Sequence, residues 1–346
     1  MPVTPQFRAL NERTAWFLDG AGRLHRTEDG GLSWSSHGVS PKAWPSNMCF
    51  LSETQGWEID QSSHVLETFD GGRTWQRLCA LRSDGLITPH EMFFADEEHG
   101  WIVTGLSVWR TVNGGRRWEE HSFETNSVET SPPEHEISAC QFLDADNGWL
   151  VTNEGSVYHT GDGSLTWELR KDGSKKEEPS SNGIFFINDK VGWAGDALGG
   201  GVNHTNDGGR TWTQQANPST LHFIDTIFFF NEKDGLLVGA ASGQDAFGFT
   251  IDGVFDDVIM RTTDGGETWA TQRPALNPIS GEPPVDPDAG ALVTLVVPDG
   301  ENQKFINSWQ GWAASDSDVY RTDDGGRSWR HVLHVDLPSQ QQQERR

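Results

Sequence analysis

Cysteine, positive charge and long apolar runs are all scarce in this chain, and each shortage removes a class of reading. Three cysteines, Cys49, Cys79 and Cys140, cannot build a framework of bridges, so the fold must rest on packing. Only 26 Lys and Arg stand against 51 Asp and Glu, a net charge of −25. Such a surface repels phosphate and anionic lipid, which excludes nucleic acid and membrane surfaces as partners. No stretch approaches about 18 consecutive apolar residues, and the first residues are not a basic leader followed by an apolar run. The expectation is a soluble chain with no membrane insertion and no visible export signal, its compartment left open. No segment keeps a 3.6-residue period for three turns, so helix is nearly absent. Nor is there a nucleophile elbow, a P-loop or a dinucleotide fingerprint, and no organic cofactor is expected.

What the chain has instead is glycine and large rings: 39 Gly, 18 Phe and 16 Trp. Their placement is periodic. One phrase returns seven times, as TEDGGLSW (27–34), TFDGGRTW (68–75), TVNGGRRW (111–118), TGDGSLTW (160–167), TNDGGRTW (205–212), TTDGGETW (262–269) and TDDGGRSW (322–329). Its Asp-Gly step supplies the positive φ of a tight hairpin, and its Asp side chain can accept bonds from turn amides. We therefore assign Asp29, Asp70, Asn113, Asp162, Asp207, Asp264 and Asp324 a structural role, not a catalytic one.

A second phrase precedes each hairpin, among them FLSETQGW (50–57), FADEEHGW (94–101), FLDADNGW (142–149) and FINDKVGW (186–193), with ALNERTAW (9–16) as a weaker first member. Between the two phrases runs a short alternating strand such as SVYHT (156–160). Each repeat thus reads as strand A, turn, strand B, turn, strand C, hairpin, strand D. The expected fold is all-β, a single seven-bladed β-propeller of four-stranded antiparallel blades over residues 1–336, followed by a polar tail, 337–346. Thirteen of the 16 Trp fall at the two repeat positions, where sheets must pack on one another. No strand is visibly exchanged between the termini, so side-chain packing between first and last blades should seal the ring.

These phrases resemble the Asp-box, or BNR, repeat. Together with the F-x-(D/N)-x-x-x-G-W phrase, the chain looks most like the photosystem II stability/assembly-factor-like propellers. Xyloglucanase-type glycoside hydrolases and sortilin-type receptor propellers share the box. The resemblance implies a non-enzymatic binding or assembly scaffold that acts on a protein or peptide, and the chain is expected to be a monomer. The alternative it leaves open is a carbohydrate-active enzyme, a hydrolase or lyase. A sialidase is excluded, because no Arg-Ile-Pro phrase lies near the start and the two tyrosines, Tyr158 and Tyr320, are both tied to strand C before a box.

Connection lengths show where binding groups belong. The A-to-B and C-to-D turns are constant. From the strand B Trp or Leu to the box Thr the separations are 11, 11, 10, 11, 12, 26 and 10 residues. From each box Trp to the next strand A Phe they are 16, 19, 24, 19, 17 and 36. The two insertions, 238–260 and 273–304, make the B-to-C and D-to-A end the candidate working face. At the channel mouth on that face we place His90, Glu91, His135, Glu136, His222, Asp225 and Glu301, with Phe247 and Asp252 from the first insertion. These residue types suit ligand binding or a divalent metal. In the enzyme alternative His90, Glu91, Asp225 and Glu301 are the candidate acid and base groups. Asp144, Asp146 and Asn147 imitate a calcium loop, but the other repeats have an ordinary turn at that register.

Overall fold

The computed structural model describes residues 6–39, 43–60, 62–81, 89–122, 136–173, 181–196, 201–215, 221–244, 250–272, 275–277, 303–306, 309–314, 317–325 and 327–335. Regular structure among them is entirely strand. The fold is an all-β, seven-bladed β-propeller, with each sheet running A-B-C-D in chain order. The seventh sheet adds one feature that the sequence hides. Ala275–Asn277, from the second insertion, pairs in parallel with strand D (Ser328–His334) as a fifth, outer strand. The first insertion likewise is no irregular loop, since it lengthens strands B (Gly235–Gln244) and C (Thr250–Thr262) of the sixth sheet into a hairpin paired out to Gln244 and Thr250. The tail 337–346 lies outside the described residues.

By compactness the chain divides into two units. One comprises residues 1–100, 111–118 and 274–346, the other 101–110 and 119–273. Both are built by the same contact between consecutive sheets. The strand B indole lies flat on the strand A Phe of the next sheet, and its N–H donates to the carbonyl of that sheet's first box Gly. In the first unit Trp16 stacks on Phe50 at 3.7 Å and donates to Gly71, and Trp57 stacks on Phe94 at 3.6 Å and donates to Gly114. In the second, Trp101, Trp149 and Trp193 lie on Phe142, Phe186 and Phe229 at 3.5–4.0 Å. Their N–H groups reach Gly163, Gly208 and Gly265. Each of these five indoles is fully buried with its one polar atom paired, which removes the usual cost of placing Trp in a core. The box Trp of the same sheet closes edge-on against that Phe, as Trp75 does on Phe50 and Trp212 on Phe186.

Within the first unit the seventh sheet packs on the first. Trp312 meets Phe7 and Trp34 there, in a buried cluster with Ala9, Ala15, Phe17 and Val319. Arg321 lies over the Trp312 ring and donates through Nη1 to the carbonyl of Glu12. The seam between the chain's ends is therefore made of side chains.

Candidate functional site

The hairpin end of every sheet is occupied by its own chemistry. In the first repeat Thr27 Oγ1 donates to Asp29 Oδ1, the Ser33 amide donates to the same oxygen, and the Ser33 hydroxyl donates to Oδ2. The pattern recurs at Asp70, Asp162, Asp207, Asp264 and Asp324. Asn113 keeps it through its amide oxygen. The Thr268 hydroxyl and amide hold the Asp264 carboxyl down at about 2. In all seven sheets the first box Gly donates its N–H to a carbonyl of the A-to-B turn, from Gly30 to Arg13 through Gly325 to Trp309. The two constant turns thus lie side by side at one end of each sheet. Asp144 caps such a turn, accepting the amides of Asp146 and Asn147, like Asn11, Asp96, Asn188 and Asn231 elsewhere.

The other end carries the B-to-C and D-to-A connections. Here sequence reasoning missed a recurring cap, three residues after the strand B Trp. Asp19 accepts the amides of Ala21 and Arg23, Asp60 those of Ser62 and His64, and Thr104 those of Leu106 and Ser107. Asp19 is buried and also takes Nε of Arg23 and Nε2 of His25. Burial pushes its carboxyl up, but the His25 and Arg23 bonds outweigh that and leave it at about 2.

Of the nine residues assigned to the channel mouth, His90, Glu91 and Glu136 have described side chains. His90 and Glu91 are consecutive in strand A of the third sheet (Pro89–Phe94), so they leave it on opposite faces, His90 exposed and Glu91 half-buried. Glu136, exposed, precedes strand A of the fourth sheet and accepts the Asn153 amide through its carbonyl. His222 and Asp225 lie in strand A of the sixth sheet (Leu221–Phe229) and Asp252 in its strand C, with their side chains outside the description. His135, Phe247 and Glu301 lie outside the described residues.

A different set of groups does converge. At the start of strand C in the seventh sheet (Asp318–Thr322), Asp318 Oδ1 lies 2.8 Å from His331 Nε2 and 2.7 Å from His334 Nδ1, both in strand D. The Ser317 hydroxyl donates to Oδ2 at 2.6 Å. Burial acts upward on this carboxyl, yet the bonds from His331, Ser317 and His334 hold it far below the ordinary carboxylate range. Tyr320, whose ring lies tilted 5.0 Å from that of His331, is pushed up to about 12 by burial and by the Asp318 charge, which keeps its phenol protonated. Burial also raises the Cys79 thiol, whose Sγ donates to the Gly115 carbonyl, so it offers no thiolate.

The chain matches no family model. Among curated proteins, 129 residues are 26% identical to the photosystem II assembly lipoprotein Ycf48 of Synechococcus sp. (strain CC9902), and the match spans 36% of this chain and 35% of that protein. Among solved structures, one described as YCF48 bound to D1 peptide is similar over 94% of this chain and 93% of its own, with TM-score 0.62 at 15% identity. The chain is a seven-bladed propeller resembling Ycf48. A GH74 xyloglucanase from Xanthomonas campestris is similar in fold over 96% of this chain, with TM-score 0.61 at 11% identity. The chain spans about half of that enzyme, 54%.

Proposed function

We propose that the protein is a non-enzymatic assembly scaffold that holds a protein or peptide segment on the end of the propeller carrying the B-to-C and D-to-A connections. The observation that carries this reading is its likeness, over nearly the whole chain, to a solved propeller with a peptide bound. Two features of this chain support it. Its box carboxylates are all engaged inside their own hairpins, which leaves recognition to the opposite end. At that end the sixth sheet, in the second unit, bears its long hairpin, and the seventh, in the first unit, takes a fifth strand from its insertion. His90 and Glu136, both exposed, and the half-buried Glu91 are the members with described side chains of the set proposed to line it.

The net charge of −25 selects the partner's chemistry. An acidic scaffold attracts a segment rich in Lys or Arg, and the attraction weakens as salt screens it over about 10 Å. The test is binding of the full chain to a peptide array that includes the D1 peptide and basic variants of it. Peptide binding that falls steeply with salt, and that drops at least about tenfold when 241–256, between the paired Ala240 and Asp257, is replaced by a two-residue Asn-Gly turn, is the expected result. Failure to bind any peptide, together with release of reducing sugar from xyloglucan, would overturn the proposal in favour of the glycoside hydrolase alternative.

A further inference from the structure

His331 and His334 are three residues apart in one strand, a separation that sends side chains to opposite faces of a regular sheet. Strand D of the seventh sheet is not regular. Asp318 pairs with His334 and Val319 with Leu333, but Tyr320 pairs with His331, so Val332 is an inserted residue. Such a bulge changes the alternation by one step and returns both imidazoles to the same face. That face is the one shared by Asp318 and Tyr320. Val319, between them, points the other way into the cluster with Trp312 and Phe17.

We propose that Asp318, His331 and His334 form a binding site for a divalent transition-metal ion, with Zn²⁺ as the best match. Two imidazole nitrogens and one carboxylate oxygen suit zinc and its neighbours, while Ca²⁺ and Mg²⁺ require oxygen shells. The three donor atoms already lie within 4.8 Å of one another. A tetrahedral ion with bonds of about 2.0–2.2 Å separates its ligand atoms by roughly 3.3 Å. Opening the present 2.7 and 2.8 Å contacts to that spacing takes small rotations of the carboxylate and of His334. The outer arrangement fits as well, since Ser317 holds Oδ2 and leaves Oδ1 turned toward both rings. His331 is largely buried, whereas the His334 side chain is 54% exposed, which gives the ion an entry path and leaves water as a fourth ligand.

This site uses none of the residues placed at the channel mouth, and it does not depend on the peptide-binding reading. An ion here ties the start of strand C to the end of strand D in the sheet that packs against the first. By binding only the folded ring it raises the stability of that seam.

The test uses the full chain, stripped with a chelator and titrated with Zn²⁺ by calorimetry near neutral pH. Co²⁺ serves as a visible-absorption probe of coordination, and thermal unfolding is followed with and without Zn²⁺. Wild type should bind one equivalent, give tetrahedral Co²⁺ bands and melt at a higher temperature with Zn²⁺ present. His334→Ala, at an exposed position that the fold tolerates, should weaken binding at least about tenfold and abolish the melting shift. His99→Ala, at an unrelated surface His–Asp pair, should change neither. Absence of saturable one-to-one binding in wild type, or wild-type affinity retained in His334→Ala or Asp318→Asn, overturns the proposal.

Discussion

Trp57 lies flat on Phe94 of the following sheet, ring centres 3.6 Å apart and planes 9° from parallel. Phe94 can be there only because residue 100 is glycine, where a Cβ would stand 2.6 Å from Cδ1 of Phe94. The first sheet shows the alternative solution. Ala9 replaces the Phe, its cross-strand partner is Ala15 in place of Gly, and Trp312 settles against Phe7 and Trp34. Phe and Gly are thus a coupled pair. Gly100→Ala alone and Phe94→Ala alone should each destabilise, the latter by about 3–5 kcal/mol. The double variant should cost less than the sum, by roughly 1 kcal/mol or more. Urea unfolding of the four proteins gives the cycle, and strict additivity would show that the two residues are independent.

Ser164 breaks the box, standing where the other described repeats have their second glycine. Its φ is 81°, it is fully buried, and its hydroxyl has no hydrogen-bond partner. A side chain at this φ costs about 1 kcal/mol, and an unsatisfied buried hydroxyl adds to that. Ser164→Gly should therefore raise stability by about 1–2 kcal/mol, seen as a higher urea midpoint with unchanged slope.

Acid should loosen the hairpins through their carboxylates. Asp264 is held at about 2 by the Thr268 hydroxyl and amide. At Asp70, also about 2, burial acts upward and the Thr74 hydroxyl and amide outweigh it. An unfolded Asp titrates near about 3.9, so the folded values are depressed. Stability from these groups is complete above about pH 4 and is lost as pH falls toward 2. Asn113 makes the corresponding bonds without a proton to gain. Asp264→Asn should accordingly keep the fold at neutral pH and flatten the acid limb of a stability-against-pH curve. An unchanged limb would assign acid unfolding to other groups, Asp19 first among them.

The repeats were legible because hairpin chemistry is local: Thr, Asp and two glycines within five residues satisfy one another wherever they occur. The stacking of Trp on Phe was legible only as a count of rings, since which ring meets which depends on neighbouring sheets. The insertion 238–260 reads as loop because its Gly, Asp and Phe residues do not alternate, yet it pairs as a hairpin. The cap formed by Asp19, Asp60 and Thr104 recurs three residues after Trp and was available to inspection. Asp318, His331 and His334 were hidden for a physical reason. A bulge changes the strand period by one, and nothing in the letters VLH announces it.

Arg321 should matter more than a surface arginine. It lies over the Trp312 ring, 5.2 Å from its centre, pairs with Asp323 at 2.7 Å, and donates to the Glu12 carbonyl 309 residues away. Its side chain is 11% exposed, while Asp323 is 52% exposed, so the solvent-screened ion pair contributes little and the bond to the Glu12 carbonyl carries the effect. A hydrogen bond from a charged donor contributes about 1.5–3 kcal/mol. Arg321→Met, which keeps the stem over the indole, should lower stability by about that amount. The loss should fall on the seam, so amide exchange should quicken first in Gln6–Ala9 and Gly311–Ala314, the strands that meet there. Asp323→Asn should leave both measurements nearly unchanged. If instead exchange quickened only in the seventh-sheet hairpin, Asp318–Thr322 and Ser328–His334, in Arg321→Met, Arg321 would be stabilising its own hairpin and the ends of the chain would be held together by the apolar cluster alone.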